Sequence, residues 1–234
     1  MNSTNTIDLS QAFQGHSFQH TVMRDASHQP ARCVTALVPN FMGIGPGTEE
    51  LAQEFVRPGA DVLILDVYGG RRPSSHEEAG VLSEEVRADP RVVTQQLRLA
   101  IDAYLDRQSF SFNGVSLLGF CFGGAVALEL ARTGLPLHAV VALHADLSTR
   151  WNANEIQHAS RILTIQGSAD PLVPLSQINA FHEEMSRFRV EWRLTLLGGL
   201  YHAFTDPNAN VPGVAQFDPA GRRHSFDQAR SFMA

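Results

Sequence analysis

Short apolar runs of strand length alternate along the chain with longer amphipathic stretches. Phe18-Gln19-His20-Thr21-Val22-Met23 alternates and predicts an antiparallel edge strand. Cys33 to Pro39 and Asp61 to Val67 are nearly continuous apolar, β-branched runs, the mark of strands buried on both faces. Val115 to Leu118, Leu137 to Leu143, Ile162 to Gly167 and Val190 to Leu197 continue the series. Between them the pattern turns helical. Thr48 reads as an N-cap for a helix ending before Pro58, and Glu77 to Glu85 as a short helix. Pro90 to Asp106 carries a stripe of Val93, Leu97, Ala100, Ile101, Tyr104 and Leu105. Ala125 to Arg132, Ser176 to Arg187 and Ser225 to Met233 complete the helices. Alternating strands and helices predict an α/β fold, a mostly parallel sheet flanked by helices on both faces. The expected layout is a flexible N-terminal arm over 1–16 and a single domain over 17–234.

One stretch carries the chemistry. Gly119-Phe120-Cys121-Phe122-Gly123-Gly124 follows an apolar strand and precedes a helix. That is the setting of a nucleophile elbow, with Cys in place of the usual Ser. Small neighbours are required because the turn is strained, and it lifts the Cys121 sulfur above the carboxyl end of the sheet. Two further turns lie at the same end. Asp170 follows a later strand in Gly167-Ser168-Ala169-Asp170-Pro171, and His202 follows the last strand in Tyr201-His202-Ala203-Phe204. The order nucleophile, acid, histidine is that of α/β hydrolases. Cys121 would attack a carbonyl, His202 would move protons, and Asp170 would hold the imidazole tautomer. Backbone N–H groups of Phe122 and Phe41 are the expected oxyanion hole.

Composition narrows the partners. Across 234 residues the formal net charge is -6, with no basic stripe, which excludes a nucleic-acid partner. No apolar run is long enough to span a membrane, and the polar start from Met1 to Gln14 has no signal-peptide pattern. A cytoplasmic location is expected. Two cysteines, Cys33 and Cys121, permit one disulfide, and a reduced compartment is the simpler reading. His16 and His20 are four apart at the start of a strand, where they would not share a face, and the other histidines have no ligand spacing. No metal and no other cofactor is expected. A monomer and a homodimer fit equally well.

The residues quoted resemble the dienelactone hydrolase family. The resemblance runs from about Val22 to the C-terminus. It rests on the Cys121 elbow, on Gly167 to Pro174, and on Tyr201 to Phe204, with support from Asp66-Val67-Tyr68-Gly69, Arg72-Pro73 and Asp218-Pro219-Ala220. It implies a small hydrolase with little or no lid that opens esters or lactones through an acyl-thioester. Members acting on dienelactone carry a Glu where Asn40 stands and an Arg where Asp206 stands. Arg72, or its neighbour Arg71, is a candidate to bind a substrate carboxylate. Asn40, Arg72, Tyr201 and Phe204 are the candidate substrate contacts. Phe41, Met42, Phe120, Phe122 and Trp151 could share the pocket wall with the last two, and all of these aromatics could equally be core. Asn40 and Asp206 also motivate a second reading, a cyclase, isomerase or thioesterase for a specialised metabolite. A binding module that kept the fold is a third, disfavoured by the intact triad.

Overall fold

Leu117 and Leu118 are consecutive, both wholly buried, and belong to opposite cores. A strand covered on both faces has this property, because successive side chains alternate across the sheet. The computed structural model describes residues 4–6, 12–13, 16–25, 30–149, 160–188 and 190–234. Its main sheet contains β1 (Thr4–Thr6), β2 (Thr21–Met23), β3 (Cys33–Val38), β4 (Ala60–Ile64), β5 (Val115–Phe120), β6 (Ala139–Leu143), β7 (Arg161–Gly167) and β8 (Glu191–Leu197). They lie in the order β1-β2-β4-β3-β5-β6-β7-β8. Strands β3 to β8 run parallel, and β2 pairs antiparallel with β4 at the far side.

The helices are α1 (Pro46–Gln53), α2 (His76–Ala88), α3 (Pro90–Leu105), α4 (Phe122–Ala131), α5 (Leu175–Phe188) and α6 (Pro219–Phe232). Leu82, Leu97, Leu130 and Phe181 bring α2, α3, α4 and α5 onto the face carrying Val34, Leu117 and Val140. Ala52 of α1 and Phe226, Ala229 and Phe232 of α6 cover the face carrying Ile64, Leu118 and Val141. The predicted stripe of α3 is buried from Val93 to Tyr104. The Tyr104 hydroxyl reaches the buried Asp61 carboxylate at 2.7 Å, which Arg24 also pairs at 3.0 Å. This is an α/β-hydrolase fold, as the pattern predicted.

Within the expected arm, Thr4–Thr6 pairs antiparallel with Thr21–Met23 and extends the sheet. Three local expectations need correction. Thr48 is not an N-cap: α1 starts two residues earlier at Pro46, after Gly45, and the Thr48 hydroxyl donates to the Gly43 carbonyl at 2.8 Å. Helix α4 begins directly after the elbow, at Phe122 rather than Ala125. Helix α6 begins at Pro219 rather than Ser225, because Asp218 caps it by accepting from the Gly221 N–H. Both cysteines are free. The connection between Leu143 and Ile162, which bears on the expectation of little or no lid, lies largely outside the described residues, and Trp151 with it. Among the described residues no helix is long and apolar enough to cross a membrane.

Candidate active site

The turn between β5 and α4 places Cys121 at φ +52°, a left-handed conformation that costs a non-glycine residue about 1–3 kcal/mol. The surroundings hold it there. Its N–H donates to the Leu143 carbonyl at 3.0 Å, and its carbonyl accepts from Gly124 and Ala125 in the first turn of α4. A side chain at Gly119 would collide with the Gly123 backbone, and one at Gly123 with the carbonyls of Val38 and Pro39. The glycines therefore let strand and helix approach closely enough to expose the sulfur.

Asp170 and His202 arrive from the ends of β7 and β8. His202 Nδ1 lies 2.7 Å from Asp170 Oδ2, and His202 Nε2 lies 3.0 Å from Cys121 Sγ. The other Asp170 oxygen accepts the Leu172 N–H at 2.8 Å, so both carboxylate oxygens are held. The histidine and the aspartate are buried, while Cys121 is partly open. Burial alone would lower the His202 pKa. Hydrogen bonds to Asp170 and Cys121, with the charges of both, outweigh it and raise the pKa to about 10. The imidazolium form is thus favoured at neutral pH.

The His202 backbone is gripped from a side not anticipated in the sequence. Its N–H donates to Val214 and its carbonyl accepts from Gln216, so the hairpin of Asn210–Val211 and Ala215–Gln216 clamps the loop. Pro212-Gly213 at the tip was the available signal, a turn dipeptide.

Phe41 follows β3, Phe122 opens α4 directly after Cys121, and Phe41 and Cys121 pack against the same apolar core. Among the described residues neither N–H donates to a turn, a loop or a side chain. The Phe41 turn is held by its neighbours. Asn40 accepts the Met42 N–H on its side-chain oxygen at 2.9 Å and the Gly43 N–H on its carbonyl at 2.9 Å. Asn40 thus builds the turn, a task a short amide suits. Tyr68 is buried, its hydroxyl donates to the Phe41 carbonyl at 2.7 Å, and its ring stacks on Phe122 with centroids 5.9 Å apart.

The remaining candidates separate. Arg72 pairs with the buried Asp66 at 3.3 Å, and Arg71 with Glu85 at 2.7 Å. Asp66 also accepts the N–H groups of Gln19, Tyr68 and Gly70, so it anchors the loop that carries both arginines. Tyr201 is half-buried beside the triad histidine. Phe204 is corrected from wall to core: it is wholly buried and packs on His144, with no surface a substrate can reach. Phe120 and Phe122 are likewise buried, and Phe41 and Met42 half-buried. A small apolar cleft opens beside Phe122, between Ala125, Val126 and Val86. Among the described residues no three His, Cys, Asp or Glu side chains are grouped to hold a metal ion.

Known proteins resemble this chain in sequence and in fold. A curated protein from Bradyrhizobium sp, described as a probable 2-oxo-3-(5-oxofuran-2-ylidene)propanoate lactonase, is 22% identical over 178 residues, covering 72% of this chain and 71% of that protein. The crystal structure of a dienelactone hydrolase-like promiscuous phosphotriesterase, P91, from metagenomic libraries superimposes with a TM-score of 0.88 at 26% identity, covering 99% of this chain and 97% of the other. A structure named m3DLH gives 0.86 at 30% identity with the same coverage. The profile of the dienelactone hydrolase family matches residues 20–234, and the chain belongs to that family.

Proposed function

We propose that the protein hydrolyses small carboxylic esters or lactones with Cys121 as nucleophile, through an acyl-thioester. The observation that carries this reading is His202 bridging Cys121 and Asp170 at 3.0 and 2.7 Å. Family membership and the lactonase relative support the reaction class.

The Cys121 proton passes to His202 Nε2, so that the sulfur reacts as a thiolate beside an imidazolium held by Asp170. The Cys121 sulfur attacks the carbonyl carbon, and the π electrons move onto oxygen. The N–H groups of Phe41 and Phe122 receive that oxyanion. Collapse of the tetrahedral intermediate breaks the C–O bond, and His202 gives its proton to the departing alkoxide. In a lactone the alkoxide stays attached to the acyl group. His202, now neutral, takes a proton from water as the water oxygen attacks the thioester. The second intermediate expels the Cys121 thiolate, leaving a carboxylic acid and the imidazolium. Asp170 keeps Nδ1 protonated throughout, so that Nε2 is the nitrogen that exchanges protons.

The acyl group is read as uncharged. Arg72 and Arg71 are each paired with a carboxylate, and Asp206 adds a negative charge four residues past His202. The likeness to P91, described as a promiscuous phosphotriesterase, makes a neutral phosphotriester a second probe of the same nucleophile.

The test is intact-mass spectrometry of wild type and Cys121→Ala mixed with short p-nitrophenyl esters and neutral lactones, with product release followed in parallel in H2-18O. An acyl adduct on wild type only, with turnover and one labelled oxygen in the acid, is expected. Turnover by pure Cys121→Ala would overturn the cysteine mechanism. Product without label would favour the cyclase or isomerase reading.

A further inference from the structure

A second histidine lies against the triad, and the mechanism above leaves it without a task. His144 follows β6, is wholly buried, and sits at φ +40°. Its ring meets that of His202 at 5.3 Å with the planes 70° apart, and that of Phe204 at 5.2 Å and 80°. Its Nε2 is 2.8 Å from the Thr205 hydroxyl, three residues past the catalytic histidine, and its Nδ1 has no partner among the described residues. The backbone at this point ties the other two triad elements. Leu143 accepts the Cys121 N–H at 3.0 Å, and the His144 N–H donates to Ile165, in the strand leading to Asp170, at 2.8 Å.

A backbone at positive φ is cheapest with glycine. An imidazole here costs conformational strain and leaves one buried nitrogen unsatisfied. Both costs point to a ring that does something a glycine would not. His202 is held at its two nitrogens by Asp170 and Cys121 and through Cγ by its clamped backbone, and these ties still allow the ring small rotations about χ1 and χ2. A flat wall against the ring opposes those rotations.

We propose that His144 is a positioning residue for the catalytic histidine: packed edge-to-face on His202 and tied to Thr205, its ring fixes the plane in which His202 reaches both Cys121 and Asp170. The proposal rests on the triad reading. Burial and the nearby His202 charge hold the His144 pKa well below the ordinary value, so the wall stays uncharged while His202 carries the proton. The titratable groups facing His202 are Cys121, Asp170 and His144, and the other ring neighbours of His144 are Phe120, Phe204 and Thr205.

The test compares wild type, His144→Asn and His144→Phe. Asn tolerates positive φ but removes the ring, and Phe keeps a flat ring without the Thr205 bond. Two readouts are taken on folded protein: the pH midpoint for alkylation of Cys121 by iodoacetamide, which needs no substrate, and kcat with KM on the best ester. His144→Asn is expected to raise the alkylation midpoint by roughly 0.5–1 pH unit and lower kcat about 10- to 100-fold with KM little changed. His144→Phe is expected to recover most of both. A wild-type midpoint in His144→Asn, or equal loss in both variants, would overturn the role of the ring. Histidine NMR of wild type supplies an independent check, since a His144 ring that protonates at or above the ordinary imidazole value of about 6.5 would overturn it too. Alkylation separates this from failure of the reaction itself: a Cys121→Ala protein that turns over esters sinks the triad reading whatever the His144 variants do.

Discussion

The Tyr68 hydroxyl donates to the Phe41 carbonyl at 2.7 Å while the Tyr68 ring stacks on Phe122, so one side chain joins the two residues proposed to supply the oxyanion N–H groups. Burial raises the Tyr68 pKa, which keeps its proton in place across the working range. Tyr68→Phe keeps the stacking and removes the bond. The Phe41 turn then keeps its Asn40 and Thr48 bonds but loses its tie to Tyr68, so the N–H proposed for the oxyanion is held less firmly. A fall in kcat of about 10-fold is expected, with KM within about twofold and stability lower by about 1–2 kcal/mol. Unchanged kcat in a folded variant would remove Phe41 from the oxyanion hole.

The parts legible in the sequence were those with a short-range signature. The strand, glycine and helix pattern around Cys121 marks an elbow because the backbone there admits few residues. Asp170 and His202 were readable from their turns at strand ends, although the distances joining them come only from the sheet order. What stayed hidden depends on long-range contact. Nothing local distinguishes Phe204, which is core, from Tyr201, which is half-buried. His144 looks like the ordinary end of an apolar strand until β7 and the His202 loop pack around it. The pairing of Arg72 with Asp66 is similarly silent, since the carboxylate is chosen by the fold of the loop and not by spacing.

Asp170→Asn tests the orienting carboxylate. An amide can accept the Leu172 N–H as Asp170 does, and then turns its NH2 toward His202 Nδ1. That favours the tautomer with its proton on Nε2, which faces the sulfur as a donor and cannot act as a base. Loss of about 10³–10⁴ in kcat is expected, with little loss of fold. A loss below tenfold would show that His202 is held in the correct tautomer by something other than Asp170.

Acid should weaken the fold through His20. Its Nδ1 accepts the Asp66 N–H at 2.9 Å, which requires the neutral ring. Burial lowers its pKa from 6.5 to about 4, with Asp66 opposing and Arg72 assisting. The unfolded chain therefore binds the proton more readily than the native one, and stability falls as pH drops from about 6.5 to about 4. The cost reaches at most about 3 kcal/mol at 1.36 kcal/mol per unit. His144 contributes with the same sign. His20→Asn can present an oxygen to the same N–H without titrating, so urea midpoints measured from pH 7.5 to 4.5 should fall less steeply than in wild type. Parallel slopes would show that His20 is not the group responsible.

Arg72 tests the uncharged-substrate reading. Its partner Asp66 is wholly buried and already accepts three backbone N–H groups, so the guanidinium serves as the fourth contact of a loop anchor. Arg72→Met should retain the loop through those three bonds and cost about 1 kcal/mol of stability, the range of a partly exposed ion pair. If the guanidinium binds no substrate, kcat/KM for neutral esters and for their carboxylate-bearing analogues should change by the same small factor. A residue that gripped a substrate carboxylate would behave otherwise, because a charge-assisted bidentate contact favours the anionic substrate alone. Selective loss of the anionic analogue by tenfold or more would return Arg72 to the substrate site and make the natural acyl group an anion. Equal loss would leave a neutral ester or lactone as the class that the Cys121 site accepts.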